Sequence, residues 1–150
     1  MSYLIFKNNL FDYKAANDTS VSAQIINQTV SAIDGTNISF TPTIHSNHIM
    51  YDCFFQFNYK PDTNSGLYVE LFENQGSGFT GLGNNFCITE LGNNVAFENV
   101  SNIKFILPYY IGTRTYELRA RTYSNSYETS IHANSDNKIM YPIVSMYSLL

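Results

Sequence analysis

Apolar and polar positions alternate with a period of two along most of the chain, the pattern of strands that bury one face. Met50–Tyr59 shows it most clearly. Tyr51, Cys53, Phe55, Phe57 and Tyr59 fall on one side, and Met50, Asp52, Phe54, Gln56 and Asn58 on the other. The second side is more polar but carries Phe54. One apolar and one mixed face suit a sheet that packs a core on one side and a partner subunit on the other.

Further strands follow at short intervals. Pro61–Gly66 reads as a turn, and Leu67–Phe72 as a strand with Leu67, Val69 and Leu71 facing one way. Gln75–Asn85, with glycines at 76, 78, 81 and 83, predicts a flexible loop. Phe86–Thr89 is a short strand closed by Gly92-Asn93-Asn94, and Ile103–Leu107 is another, stopped by Pro108. Thr115–Tyr123 alternates Tyr116, Leu118, Ala120 and Thr122 against Glu117, Arg119, Arg121 and Tyr123. Glu128–Ala133 is shorter, Ser135-Asp136-Asn137 turns the chain, and Pro142 leads into Ile143–Leu150, apolar on both faces.

Upstream, Ser20–Ile33 and Ile38–Phe40 supply two more strands, and Asp34-Gly35 between them is a hairpin signal. Val21, Ile25 and Ile26 have helical spacing, but the β-branched content of Val21–Ile33 favours a strand. These elements predict an all-β fold, a jelly-roll-type antiparallel β-sandwich in a single domain. Residues 15–150 form the sandwich. Residues 1–14 are either its first strand or an arm that docks on another protein.

The length of 150 residues fits one domain and permits a sizeable core. Charged residues are 13% of the chain, about half the ordinary share. The hydrophobic share of 44% is intact, so the low charge does not mean disorder. A net charge of −4 with only 8 Lys and Arg leaves no basic stripe, which argues against nucleic acid and anionic membrane as partners. The N-terminus lacks the basic region and apolar run of a signal peptide, and no stretch approaches the ~20 apolar residues of a membrane span. Sequons at Asn17, Asn27, Asn37 and Asn99 are expected by chance in an Asn- and Thr-rich chain. Cys53 and Cys87 sit in apolar runs and are expected as reduced core residues.

Catalytic patterns are missing. His45 and His48 are three residues apart near a turn, and His132 stands alone, so no metal site is expected. No nucleophile, zinc or phosphate-loop motif occurs, and no cofactor is expected. Glu70, Glu73, Glu90, Glu98, Glu117 and Glu128 are spread over the strands, but the chain has no Trp for a sugar-cleaving cleft. The expectation is a protein that is not an enzyme. Arg119 and Arg121 share a strand face with Glu117, as cross-strand ion pairs or as partners for a neighbouring subunit. Phe79, Tyr109, Tyr110, Tyr123 and Tyr127 either pack over the sandwich ends or make a receptor-contacting surface.

The ordered segments Ile38–Pro42, Ser46–Tyr51, Leu71–Glu73, Leu118–Ser124, Glu128, Ile131-His132 and Pro142–Leu149 resemble a known family. They are similar to the jelly-roll head domains in structural proteins of tailed phages and other large DNA viruses, related in shape to the trimeric C1q and tumour-necrosis-factor heads. The resemblance covers roughly residues 30–150 and implies a virion protein that trimerises about the sheet carrying the first and last strands. It departs from the family in the uncharged Gln75–Asn85 segment and the missing Trp.

A last strand apolar on both faces agrees with this, because a closed oligomer covers the same patch on every copy. Phe54, Ile143, Val144, Met146, Tyr147 and Leu149 are the expected subunit contact. Tyr3, Leu4, Ile5, Phe6, Leu10 and Phe11 are the expected anchor to the particle, on a major capsid protein or another virion protein. Phe79, Tyr109, Tyr110 and Tyr127 are the expected receptor contacts if the domain instead binds a host glycan through its end loops. The function expected is a capsid decoration protein or a fibre or spike head.

Overall fold

The structure, a computed structural model, describes residues 10–59, 66–89, 97–123, 129–134 and 136–149. Two antiparallel sheets face each other. The first contains β1 (Leu10–Asn17), β2 (Gln24–Ile26), β5 (His48–Tyr59), β8 (Phe97–Pro108), β10 (Thr129–Ile131) and β11 (Ile143–Leu149). Its long central strand, β5, pairs with β8 along one edge. Along the other edge it pairs first with β11 and then with β10, which lead outward to β1 and β2. The second sheet contains β3 (Ser31–Ala32), β4 (Ile38–Phe40), β6 (Gly66–Asn74), β7 (Phe79–Thr89) and β9 (Arg114–Thr122). The fold is all-β, and among the described residues there is no helix.

Alternation places the core between the sheets. From the first sheet come Ile49, Tyr51, Cys53, Phe55, Phe57, Ile103, Phe105, Val144 and Met146; from the second come Leu67, Val69, Leu71, Tyr116, Leu118 and Ala120. Each such aliphatic or Phe side chain contributes about 1.5–3 kcal/mol on burial. Tyr51 reaches across the core, and its hydroxyl donates to the Thr36 carbonyl at 2.8 Å.

The Asp34-Gly35 turn does not make a hairpin. β3 and β4 both pair with β9, Ser31 opposite Ala120 and Ile38 opposite Tyr116, so the chain runs along one edge and bulges at residues 33–37. Thr36, fully buried, fills the bulge: its hydroxyl donates to the Ile33 carbonyl at 2.7 Å and accepts the Leu118 N–H at 3.1 Å. A local side-chain bond replaces the missing ladder bond, so the turn continues a strand instead of reversing it.

The glycine-rich segment is also not a loop, because β7 begins at Phe79. The turn before it depends on glycine, since Gly76 and Gly78 have φ of 106° and 113° and both N–H groups donate to Asn74 Oδ1, and within β7 Gly83 also has a positive φ of 71°. Opposite Glu70 and Phe72 the ladder shifts register, and the Glu70 carboxylate stitches that bulge by accepting the Gly83 N–H at 2.9 Å. Ser20–Ile33 forms two short strands, β2 and β3, in different sheets.

Candidate functional site

The outward side of the first sheet is built from rows that cross β8, β5, β11 and β1. One row reads Ile106, Met50, Tyr147 and the Tyr13 position; the next reads Lys104, Asp52, Ser145 and Ala15; a third reads Asn102, Phe54, Ile143 and Asn17. Leu149 lies beside His48 at one end, and Val100 beside Gln56 at the other. Ile106, Ile143 and Val100 are 58%, 46% and 45% exposed, and Met50, Phe54, Tyr147 and Leu149 are half-buried. Between the first and third rows, Lys104 forms an ion pair with Asp52. Apolar side chains thus lie on both sides of a polar middle row on this face, with the Lys104–Asp52 ion pair between them.

The residues expected at that contact divide by strand parity. Phe54, Ile143, Tyr147 and Leu149 face outward in this surface. Val144 and Met146 do not: both are fully buried in the core, because the alternation that exposes Ile143 and Tyr147 turns them inward. Ile106, Met50 and Val100 were missed as members of the surface. Ile106 was legible in the alternation of Ile103, Phe105 and Leu107 against Lys104 and Ile106, but its alignment with Met50 and Tyr147 depends on pairings the sequence does not state. Leu10 and Phe11 belong to β1, whose backbone pairs with β11 from Leu149 to Ile143, so this part of the expected anchor is a strand of the sandwich. Tyr3, Leu4, Ile5 and Phe6 lie outside the described residues, as does Tyr127.

Among the described residues, the aromatics of the expected end-loop surface do not come together. Tyr110 is buried, its hydroxyl donates to the Phe40 carbonyl at 3.0 Å, and Arg114 lies over its ring at 4.3 Å. Tyr109 packs against the core. Phe79 lies at the start of β7, on the outer face of the second sheet, with Arg119 5.1 Å from its ring. At this end a polar knot closes the sandwich instead. Glu73 Oε1 accepts from Arg114 at 2.8 Å and from the Tyr116 hydroxyl at 2.7 Å, and Oε2 accepts from Gln75 at 2.5 Å. Burial raises the Tyr116 phenol, and the bond it donates to Glu73 raises it further. Burial likewise pushes Tyr110 up to about 12. Both phenols are therefore donors at neutral pH, not bases.

Burial pushes the Cys53 thiol up to about 12, so it is an inert core residue and not a nucleophile. His45 and His48 are exposed on the segment entering β5. Among the described residues no group of three His, Cys, Asp or Glu could hold a metal ion. No helix among them is long and apolar enough to cross a membrane.

On the outer face of the second sheet, Arg119 pairs with Glu117 at 2.7 Å and lies 4.5 Å over the Phe72 ring. Asn37 donates to the other Glu117 oxygen at 3.1 Å. The ion pair of Arg119 with Glu117 therefore runs along β9 within one subunit and not across strands as expected.

No family model matches the chain, and no curated protein matches it. Solved structures do resemble it. Eiger TNF from S. frugiperda is similar over 92% of this chain and 93% of its own, with a TM-score of 0.52 and 10% identity. The globular domain of zebrafish complement 1qA protein covers 91% of this chain and 97% of its own, at a TM-score of 0.42 and 12% identity. A pentameric capsid protein from metagenomic phage sequences covers 82% of this chain and 68% of its own, at a TM-score of 0.26 and 15% identity. The first of these defines the fold: the chain is a jelly-roll sandwich of the tumour-necrosis-factor type.

Proposed function

We propose that this domain is an assembly protein without catalytic activity, which forms a homotrimer through the outer face of its first sheet and serves as a structural component of a virus particle. The observation that carries the proposal is the surface of Ile106, Met50, Tyr147, Phe54, Ile143 and Leu149. It spans three paired strands, β8, β5 and β11, and leaves Ile106 and Ile143 about half open to solvent. Burying such a face on two neighbours around a threefold axis covers it identically in every copy. The central Lys104–Asp52 pair then fixes the register, since removing one partner would strand a charge in the contact. The virion setting rests on the ordered segments of the sequence, and capsid decoration protein or fibre head is the finer reading. Tyr3–Phe6, beyond β1, would supply the anchor.

Light-scattering mass of an Ile106→Glu variant tests the face. The expected result is a folded monomer, with unchanged circular dichroism and a concentration-independent mass. A variant that keeps the mass of the unmodified chain contradicts the assigned face.

A further inference from the structure

Of the three arginines in the chain, two have a carboxylate: Arg114 has Glu73 at 2.8 Å and Arg119 has Glu117 at 2.7 Å. Arg121, two residues beyond Arg119 on the same outer face of the second sheet, makes no ion pair among the described residues. Its guanidinium instead lies over the Tyr68 ring, 4.4 Å from the centroid, directly across the β6–β9 ladder. The Tyr68 ring in turn stacks on Tyr123, with centroids 4.9 Å apart and planes 19° from parallel. Tyr123 is 49% exposed, and its backbone is held by an N–H bond to the Gly66 carbonyl at 3.0 Å.

A guanidinium keeps its charge at any physiological pH, and its planar fork matches a carboxylate with two parallel hydrogen bonds. Stacking on Tyr68 fixes the plane of that fork before a ligand arrives, which lowers the entropic cost of binding. A neighbouring exposed tyrosine ring offers a flat apolar platform of the kind that receives the C–H face of a sugar. A bare phosphate would use the fork but not the ring, and a neutral sugar the ring but not the fork.

We propose that Arg121, Tyr68 and Tyr123 form a binding site for an acidic sugar, a pyranose that carries a carboxylate. The carboxylate pairs with Arg121 and the ring lies against Tyr123. This goes beyond assembly. The site is on the sheet opposite to the oligomer face, so each copy in a trimer presents it outward and the copies act together on a multivalent glycan.

The test is a glycan array carrying sialic-acid and uronic-acid termini beside their neutral counterparts, probed with the full chain. The expected result is a signal on one or both acidic classes, which names the source, and none on the neutral sugars. Arg121→Gln and Tyr123→Ala should each lower that signal at least tenfold, and Arg121→Lys should not restore it. Arg119→Gln, on the neighbouring ion pair, should change it less than twofold. Matched thermal melting curves confirm that every variant is folded. Absence of signal on every acidic sugar, equal signal on the neutral ones, or undiminished binding by folded Arg121→Gln overturns the proposal. None of these outcomes depends on the oligomeric mass, which is measured separately.

Discussion

Three donors converge on the carboxylate of Glu73, whereas the buried imidazole of His132 is poorly satisfied. Burial raises the Glu73 carboxyl, but bonds from Arg114, Gln75 and Tyr116 outweigh it and hold the group below its ordinary value of 4.5. At His132 the balance is reversed. Its ring is fully buried, and burial holds its pKa below 6.5 against weaker opposing pulls from a backbone bond to Asp34 and from the charges of Asp34 and Asp18. Both shifts are depressions, so both carry the same sign: the unfolded chain binds the proton more readily, and stability falls as pH falls. The His132 contribution is complete above 6.5 and fades below it; the Glu73 contribution is complete above 4.5 and fades below that. Urea midpoints should therefore drop between pH 7.5 and 5.5 and again below pH 4.5. His132→Asn, a residue that tolerates the φ of 69° found there, should remove most of the first drop. An unchanged first drop in that variant would assign it to another group.

At the scale of elements, β5 was legible almost to its ends, as were β4, β9 and β11, because each repeats an apolar side chain every second residue. Their pairings were not. The bulge at residues 33–37 is written as Asp-Gly between two strands, the same local signal as a hairpin, and only the buried hydroxyl of Thr36 distinguishes them. Thr36→Val keeps the shape but orphans the Leu118 N–H, and should destabilise the fold by about 1–3 kcal/mol in urea unfolding with an unchanged denaturant slope. A loss of a few tenths would mean that the bulge is held by packing alone. The glycine-rich start of β7 escaped detection for a related reason: its strand contains a bulge tied to Glu70, a partner 13 residues away. Tyr110 looked like a loop aromatic because a sequence does not say that the turn after β8 folds back over the Phe40 carbonyl.

For the whole molecule, the two sheets divide the labour. The core takes one face of each. The first sheet's outer face is apolar with a central ion pair, and the second's is a ladder of arginines on aromatic rings. Half of the proposed contact was legible from the last strand; Val144 and Met146 were assigned to the wrong side because its two polar residues, Ser145 and Ser148, fall on opposite faces and so do not mark the parity. Met50 and Ile106 enter only through the antiparallel register of β5 with β8 and β11. The central claim is that this face has a partner in another copy. Sedimentation equilibrium of the unmodified chain at micromolar concentration tests it most directly. The account predicts a single species about three times the 17.1 kDa chain mass; a species of 17.1 kDa across the whole concentration range would contradict it.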